Sequence, residues 1–455
     1  MMVVRLIVLL SVVVIAGSDP SALVRRLGAP KYADREAASA AIERLGPDAL
    51  PALRAARIAP DAEIRSRAFA LVDRIENDLM VRPTSVVLDF HDETLVAVLA
   101  KLTDRGRANL VLTPRAGELR DRRITLIRPE PASFWEAVDM VAAEGGVELG
   151  GGIPAANFDV KSPGSVALIL IPSAEGSKPP PVSCSGPFRV SLLNITHNKE
   201  RNFGGISAIA PAEFGLVPDT VESEQFYAGL QVLVEPRLTV IQRGPPRLTV
   251  AEDDLGNSLL PSHAAGAGFV HISAYNQFDT PGGVAIQTTL SLKFPDRAGR
   301  TIKTLRGVVP VALTARKGDP LVIPLAEARG KSYHNADATV TVHEVTAGGN
   351  LGQTVIELSI RGVPAAELNL NGFAANFPGP RGGFPTQTPF EIVDARGRSL
   401  SQWLPSTQLQ TPDGWRMTMR VTQTAATGPP THLRFYEFTR VDTDVDFVFR
   451  DVDMP

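Results

Sequence analysis

Cysteine is nearly absent: Cys184 is the only one in 455 residues. No disulfide can form within the chain, so each domain must hold itself together by apolar burial. Aromatic residues are scarce at 6%, with three Trp, too few to build a sugar-stacking platform. An excess of charge of one sign is missing as well. The 46 Lys and Arg stand against 49 Asp and Glu, for a net charge of −3. That balance excludes the basic surplus of a general nucleic-acid binder. The sequence contains no G-x-S-x-G nucleophile elbow and no G-x-x-x-x-G-K-[ST] phosphate loop. His343-Glu344 lacks the second histidine of a zinc-protease helix, and no acid or cysteine lies between His263 and His271. No cofactor is expected.

What is present begins with Arg5 and the apolar run Leu6 to Ile15, followed by the small residues Ala16-Gly17-Ser18. The run is too short to span a bilayer and fits a secretory signal over residues 1–18, with an uncleaved anchor as the alternative. The chain is therefore expected to be exported, to a periplasm or beyond, and to have no integral membrane span once the signal is removed. Gly (38) and Pro (37) are abundant, which with the length predicts several domains rich in turns.

Residues 19–80 read as helices. Asp34 is placed to cap one that stops at Gly46, Pro47 to begin the next, and Asp61 to cap a third bearing Ile64, Ala68, Leu71 and Ile75. Asp34 to Ala41 aligns with Asp61 to Ala68. The second segment fits the D-x-x-[IV]-R-x-x-A pattern and resembles HEAT repeats, which bury their faces against neighbours.

From residue 84 the periodicity changes. Val86, Leu88 and Phe90 alternate with polar or exposed-side positions, as in a strand. Asp92 stands where a helix cap belongs, and Leu95, Val98, Leu99 and Leu102 make one apolar stripe. Short strands follow at Asn109–Thr113 and Ile124–Ile127. Ser133 and Glu136 have capping-box spacing, Phe134, Val138 and Val141 form a second stripe, and Gly145-Gly146 ends that helix. The order and the stretches LDFHDETLVAVLAKLT, NLVLTP, RITL and FWEAVDMV resemble the secretin/TonB short N-terminal (STN) domain, which is also the N0 domain of secretins. The resemblance covers residues 84–149. It implies a periplasmic protein-contact module and assigns no catalytic residue. No pore-forming secretin or β-barrel sequence is evident downstream. A hairpin of Phe158–Val160 with Val166–Ile171 would complete the module to residue 172. A stiff Pro/Ser-rich linker would occupy residues 173–185.

Beyond Gly186 strand signals replace helix signals. They predict two antiparallel β-sandwich domains, 186–330 and 331–455, with one packed and one wet face. In all, the fold class is multidomain α+β: a HEAT-like helical unit, a small STN-like domain and two β-sandwiches. The form D-x-x-G-x-[ST]-[LI] recurs at Asp253, Asp296 and Asp394. It reads as turn punctuation, with Gly supplying positive φ.

Three groups stand out as possible sites. Arg120, Arg122 and Arg123 belong to an arginine-rich stretch that could meet an acidic partner or lipid headgroups, or be a solvated loop. Phe373, Phe377 and Phe384 lie on a long loop between Gly362 and Pro389 and are contact candidates. Asp442, Asp444 and Asp446 share one face of a strand, either as a solvated edge or as a weak Ca²⁺ site. The expected function is an exported, non-enzymatic envelope protein that binds envelope protein partners. The alternative is a secreted carbohydrate- or metal-binding hydrolase with its site on sandwich loops.

Overall fold

A computed structural model describes residues 19–106, 109–154, 166–174, 176, 178–203, 220–261, 285–317, 320–335, 338–347, 353–362, 389–400, 403–411, 414–422 and 427–455. The fold is mixed α+β with several antiparallel sheets. The chain divides into two compact units, Met1–Val81 and Arg82–Pro455. Among the described residues no helix is long and apolar enough to cross a membrane.

The first unit holds α1 (Pro20–Arg26), α2 (Tyr32–Leu45), α3 (Leu50–Ala56) and α4 (Ala62–Val81). Leu27, Ile42, Leu53, Ala68 and Leu71 form its core. Asp61 caps α4 as its position suggests, accepting from the N–H of Glu63 (2.8 Å) and Ile64 (3.2 Å). Asp34 does not cap α2. The cap position falls on Lys31, and Asp34 lies in the first turn. The helix start is held instead by Arg35, whose Nη1 donates to the carbonyls of Ala29 (2.9 Å) and Pro30 (3.1 Å). Arg65 does the same to Ala59 (2.6 Å) and Pro60 (2.8 Å). The internal likeness therefore runs Arg35 with Arg65 and the buried Ala38 with Ala68, a different register from Asp34 with Asp61. Arg67 of α4 bridges to Glu36 of α2 (2.8 Å).

The second unit opens with β1 (Ser85–Val86), β2 (Asp89–Thr94), α5 (Leu95–Gly106), β3 (Asn109–Leu112), β4 (Arg123–Ile127), β5 (Ala132–Ser133), α6 (Phe134–Gly145), β6 (Val147–Pro154) and β7 (Val166–Pro172). The strands make three small sheets, β1–β5, β2–β4 and β3–β7–β6. One of the sequence cues fails locally. Asp92 is a bulge residue of β2 with φ of +48°, and the side chain that bonds into the first turn of α5 is Thr94, accepting from Ala97 N–H (3.4 Å). The strand β7 lies between β3 and β6, the latter directly after α6. The expected partner at 158–160 lies outside the described residues. The capping box of α6 is present in both directions, Gly146 ends the helix at φ +67°, and Phe134, Val138 and Val141 are buried. Gly106 lets α5 approach α6 closely: a Cβ there would stand 2.1 Å from the Phe134 ring.

Two sheet pairs follow. The first contains β8 (Val182–Ser185), β9 (Phe188–Phe203), β10 (Thr220–Val234), β11 (Thr239–Arg243), β12 (Arg247–Asp253), β13 (Ala285–Leu292) and β14 (Thr301–Arg316). So the end of the expected linker is a strand. The second contains β15 (Leu321–Pro324), β16 (Ser332–His334), β17 (Thr339–Ala347), β18 (Gln353–Arg361), β19 (Phe390–Asp394), β20 (Trp403–Thr411), β21 (Gly414–Thr422) and β22 (Pro430–Phe435). Its sheets share one core, with Val340, Ile356, Met419, Phe390 and Phe435 among the buried residues. The remaining strand, β23 (Phe438–Asp453), does not belong to it. It runs antiparallel to β14 along the whole of that strand, from Arg316↔Phe438 to Thr301↔Asp453. The second sheet pair is thus an insertion between two partnered strands, and a boundary at residue 330 is crossed by their ladder. At the neck Lys317 N–H donates to the Glu437 carbonyl (2.8 Å), Lys317 Nζ pairs with its carboxylate (3.3 Å), and the Arg316 guanidinium lies over the Tyr436 ring (4.6 Å).

The two sheet pairs share a strand order. One contains the sheets β8-β9-β10-β13 and β12-β14-β23, the other β16-β17-β18-β21 and β19-β22-β15; beyond this common order β11 also pairs with β14, and β20 extends its sheet beside β21. They also share a turn. Asp253 Oδ1 accepts from the N–H of Leu255 (3.0 Å) and Asn257 (2.7 Å), and its Oδ2 from Gly299 N–H (2.9 Å). Asp394 Oδ1 accepts from Arg396 and Arg398 N–H (2.9 Å each), and its Oδ2 from Gly428 N–H (3.1 Å). Gly256 and Gly397 supply the positive φ, and Leu259 and Leu400 are buried. The third copy of the motif is different in kind. Its Asp296 is exposed, and its Gly299 is the donor held by Asp253.

Candidate interaction surface

The ribbon β2–β4 pairs Asp89 with Ile127 and Phe90 with Leu126, then slips by a bulge to pair Glu93 with Ile124 and Thr94 with Arg123. Alternation sends Phe90 and Ile124 inward, both buried, and leaves Val87 and Ile127 outward, 65% and 57% exposed. Among the described residues β4 has no strand partner except β2, and a strand edge without a partner strand is a template for pairing.

Arg120 and Arg122 lie on the turn leading into β4, Arg123 is the first residue of that strand, and all three are exposed. Their backbone is fixed from below. The carbonyls of Arg122 and Arg120 accept from Leu95 N–H (2.8 Å) and Val96 N–H (3.3 Å), which are free donors at the start of α5. Arg123 Nη1 donates to the Asp92 carbonyl (2.8 Å) across the bulge. The positive charge is therefore carried on a rigid turn, with the guanidinium of Arg122 lying against Gly146.

The module is clamped to the first sheet pair by contacts that no sequence pattern announces. Trp135 is fully buried, and its Nε1 donates to the Pro187 carbonyl (2.9 Å). Asp139 of α6 receives Arg189 Nε on both oxygens, at 3.0 Å each. Glu235 is buried and accepts from Thr84 N–H (2.8 Å), Thr84 Oγ1 (2.6 Å) and Arg237 Nε (2.7 Å). Cys184 lies at the same seam. Burial, and then the charge of Asp139, push its thiol up to about 12, which keeps it protonated and unreactive at neutral pH.

Asp442, Asp444 and Asp446 do share the exposed face of β23. They do not converge on a common point: Asp444 pairs with Arg247 (2.8 Å) and Asp442 with Arg440 (3.4 Å). Phe373, Phe377 and Phe384 lie outside the described residues. His343 faces the neighbouring strand, with Nε2 at 3.0 Å from Ser359 Oγ. No protein-family model matches the chain, and neither a curated protein nor a solved structure matches it.

Proposed function

We propose that the chain is an exported, non-enzymatic envelope protein that acts by protein contact, with the STN-like module of residues 84–172 as its contact element. The supporting observation is that β4 has no strand partner but β2 among the described residues, with the exposed Arg120, Arg122 and Arg123 at its start and the exposed Ile127 at its end. An extended segment of an envelope partner adds to such an edge through main-chain hydrogen bonds. Fixed positive charge steers an acidic segment towards it.

The test is capture of partners from envelope extracts by the full chain. Replacing Arg120, Arg122 and Arg123 with Glu is expected to abolish capture while the thermal transition stays in place. Undiminished capture by this folded variant would remove the reading. Fractionation with N-terminal sequencing tests the export component, with a mature chain expected to start near Ser18–Asp19.

A further inference from the structure

The common strand order of the two sheet pairs contains one displacement. The place that β23 holds beside β14 is held in the second pair by β15 beside β22. β15 comes just before its own pair, whereas β23 comes only after the whole insertion. The segment in the position equivalent to β15, just before β8, is Ser173–Pro181, and it ends Pro179-Pro180-Pro181. Three successive residues without N–H cannot supply a ladder, so the slot beside β14 stays open to a strand from elsewhere.

The slot is shaped for one occupant. Gly307 stands directly opposite Phe447, and a Cβ at Gly307 would be 2.7 Å from the Phe447 ring. A bare glycine makes the notch in which that ring sits. Val445, Phe447 and Phe449 are buried, while Asp442, Asp444 and Asp446 face out. Val448 N–H bonds Ser183 Oγ of β8 (3.1 Å). An unrelated strand lacks this alternation and this ring at this register.

We infer that β23 is an exchangeable strand, and that two copies of the chain assemble by each placing its β23, with the inserted sheet pair, in the slot beside the other's β14. The ladder of β23 with β14 and the bond from Val448 to Ser183 are then remade between copies, the low-cost route by which identical chains associate. The chain between β14 and β15 then runs from one copy to the other. This inference is independent of the β4 edge, and its failure leaves the proposed contact function untouched.

The test uses full-length chains with Cys184→Ser and differing tags. One carries Arg306→Cys and the other Val448→Cys, two exposed residues that face each other across the ladder. The chains are mixed at high concentration, warmed to just below the thermal transition, cooled and oxidised. A disulfide-linked heterodimer is expected in the mixture, rising with concentration, while each chain alone should give a dimer of the same native elution volume that no disulfide across the β14–β23 ladder links. A third chain carrying both cysteines should close within itself when dilute. Lack of a heterodimer in the mixture would overturn the inference, and failure of the double variant to close would overturn the register on which it rests.

Discussion

The two sheet pairs are built on one strand order and one aspartate-centred turn, yet they obtain their closing strand differently. The inserted pair takes β15 from the sequence just before it. The earlier pair waits for β23, which lies beyond the insertion. The same architecture is thus reached by a local and a remote route. What distinguishes the routes is a backbone property, the missing donors of Pro179–Pro181, and not the hydrophobic pattern.

The largest expected effect tests whether the pairs are separate cooperative units. Phe447→Ala should cost roughly 3–5 kcal/mol, enough to open the first pair at moderate urea. Amide exchange should then rise in residues 285–316 and stay slow in 353–361. Equal loss of protection in both would show a single unit. Phe435→Ala is the mirror experiment, acting on a ring wholly inside the inserted core.

Next in size is the turn aspartate. Asp253→Ala takes a charged acceptor from the N–H groups of Leu255, Asn257 and Gly299, at a cost of about 1–3 kcal/mol. A thermal shift measures it, and an unchanged transition would deny the carboxylate its structural role.

Acid sharpens the comparison of the two turns. Burial alone would raise both carboxyls. Asn257 and the N–H groups of Gly299, Asn257 and Leu255 outweigh it at Asp253. At Asp394 the N–H groups of Gly428 and Arg398, the Arg398 guanidinium and Arg396 N–H do so more strongly, and hold it far lower. A depressed carboxyl stabilises the fold above its unfolded value of about 3.9, and that stability is lost as pH falls through the folded value. Below pH 4 the Gly299 amide should therefore lose exchange protection before the Gly428 amide. The reverse order would sink this ranking.

The smallest effect is alkaline. The Cys184 thiol, raised to about 12, favours the folded chain while the unfolded thiol is also protonated. Stability should decline slightly as pH rises beyond about 8.5, the unfolded value. Cys184→Ser should remove that slope, as followed by denaturant midpoints between neutral and alkaline buffers.

Local structure was legible from sequence wherever the signal was itself local. Ser133 and Glu136, Gly146 and the stripe Phe134–Val138–Val141 read correctly because caps and 3.6-residue periodicity are intrinsic to one segment. Asp92 misled because an aspartate before an apolar stripe can cap a helix or occupy a positive-φ bulge, and the ladder with β4 decided the matter. The arginines beside β4 were visible as charge, while their carbonyls' role at the start of α5 was not. Alternation in Val445–Phe449 reveals which side is buried but not which strand lies alongside, so the pairing of β23 with β14 had no signal in either stretch. Nothing in the α6 sequence marks Trp135 as the residue whose ring nitrogen donates to a carbonyl far along the chain.

The nested order also has a clock in it. During synthesis the edge of β14 emerges first, and its partner follows only after residues 317–437 have been made. At roughly 5–20 residues per second, that edge and the notch at Gly307 lack their strand for on the order of ten seconds. An unpaired edge of that length is a template for wrong pairing. The chain is therefore suited to being held unfolded until it is complete, and a chain released early would be most prone to aggregate through β14.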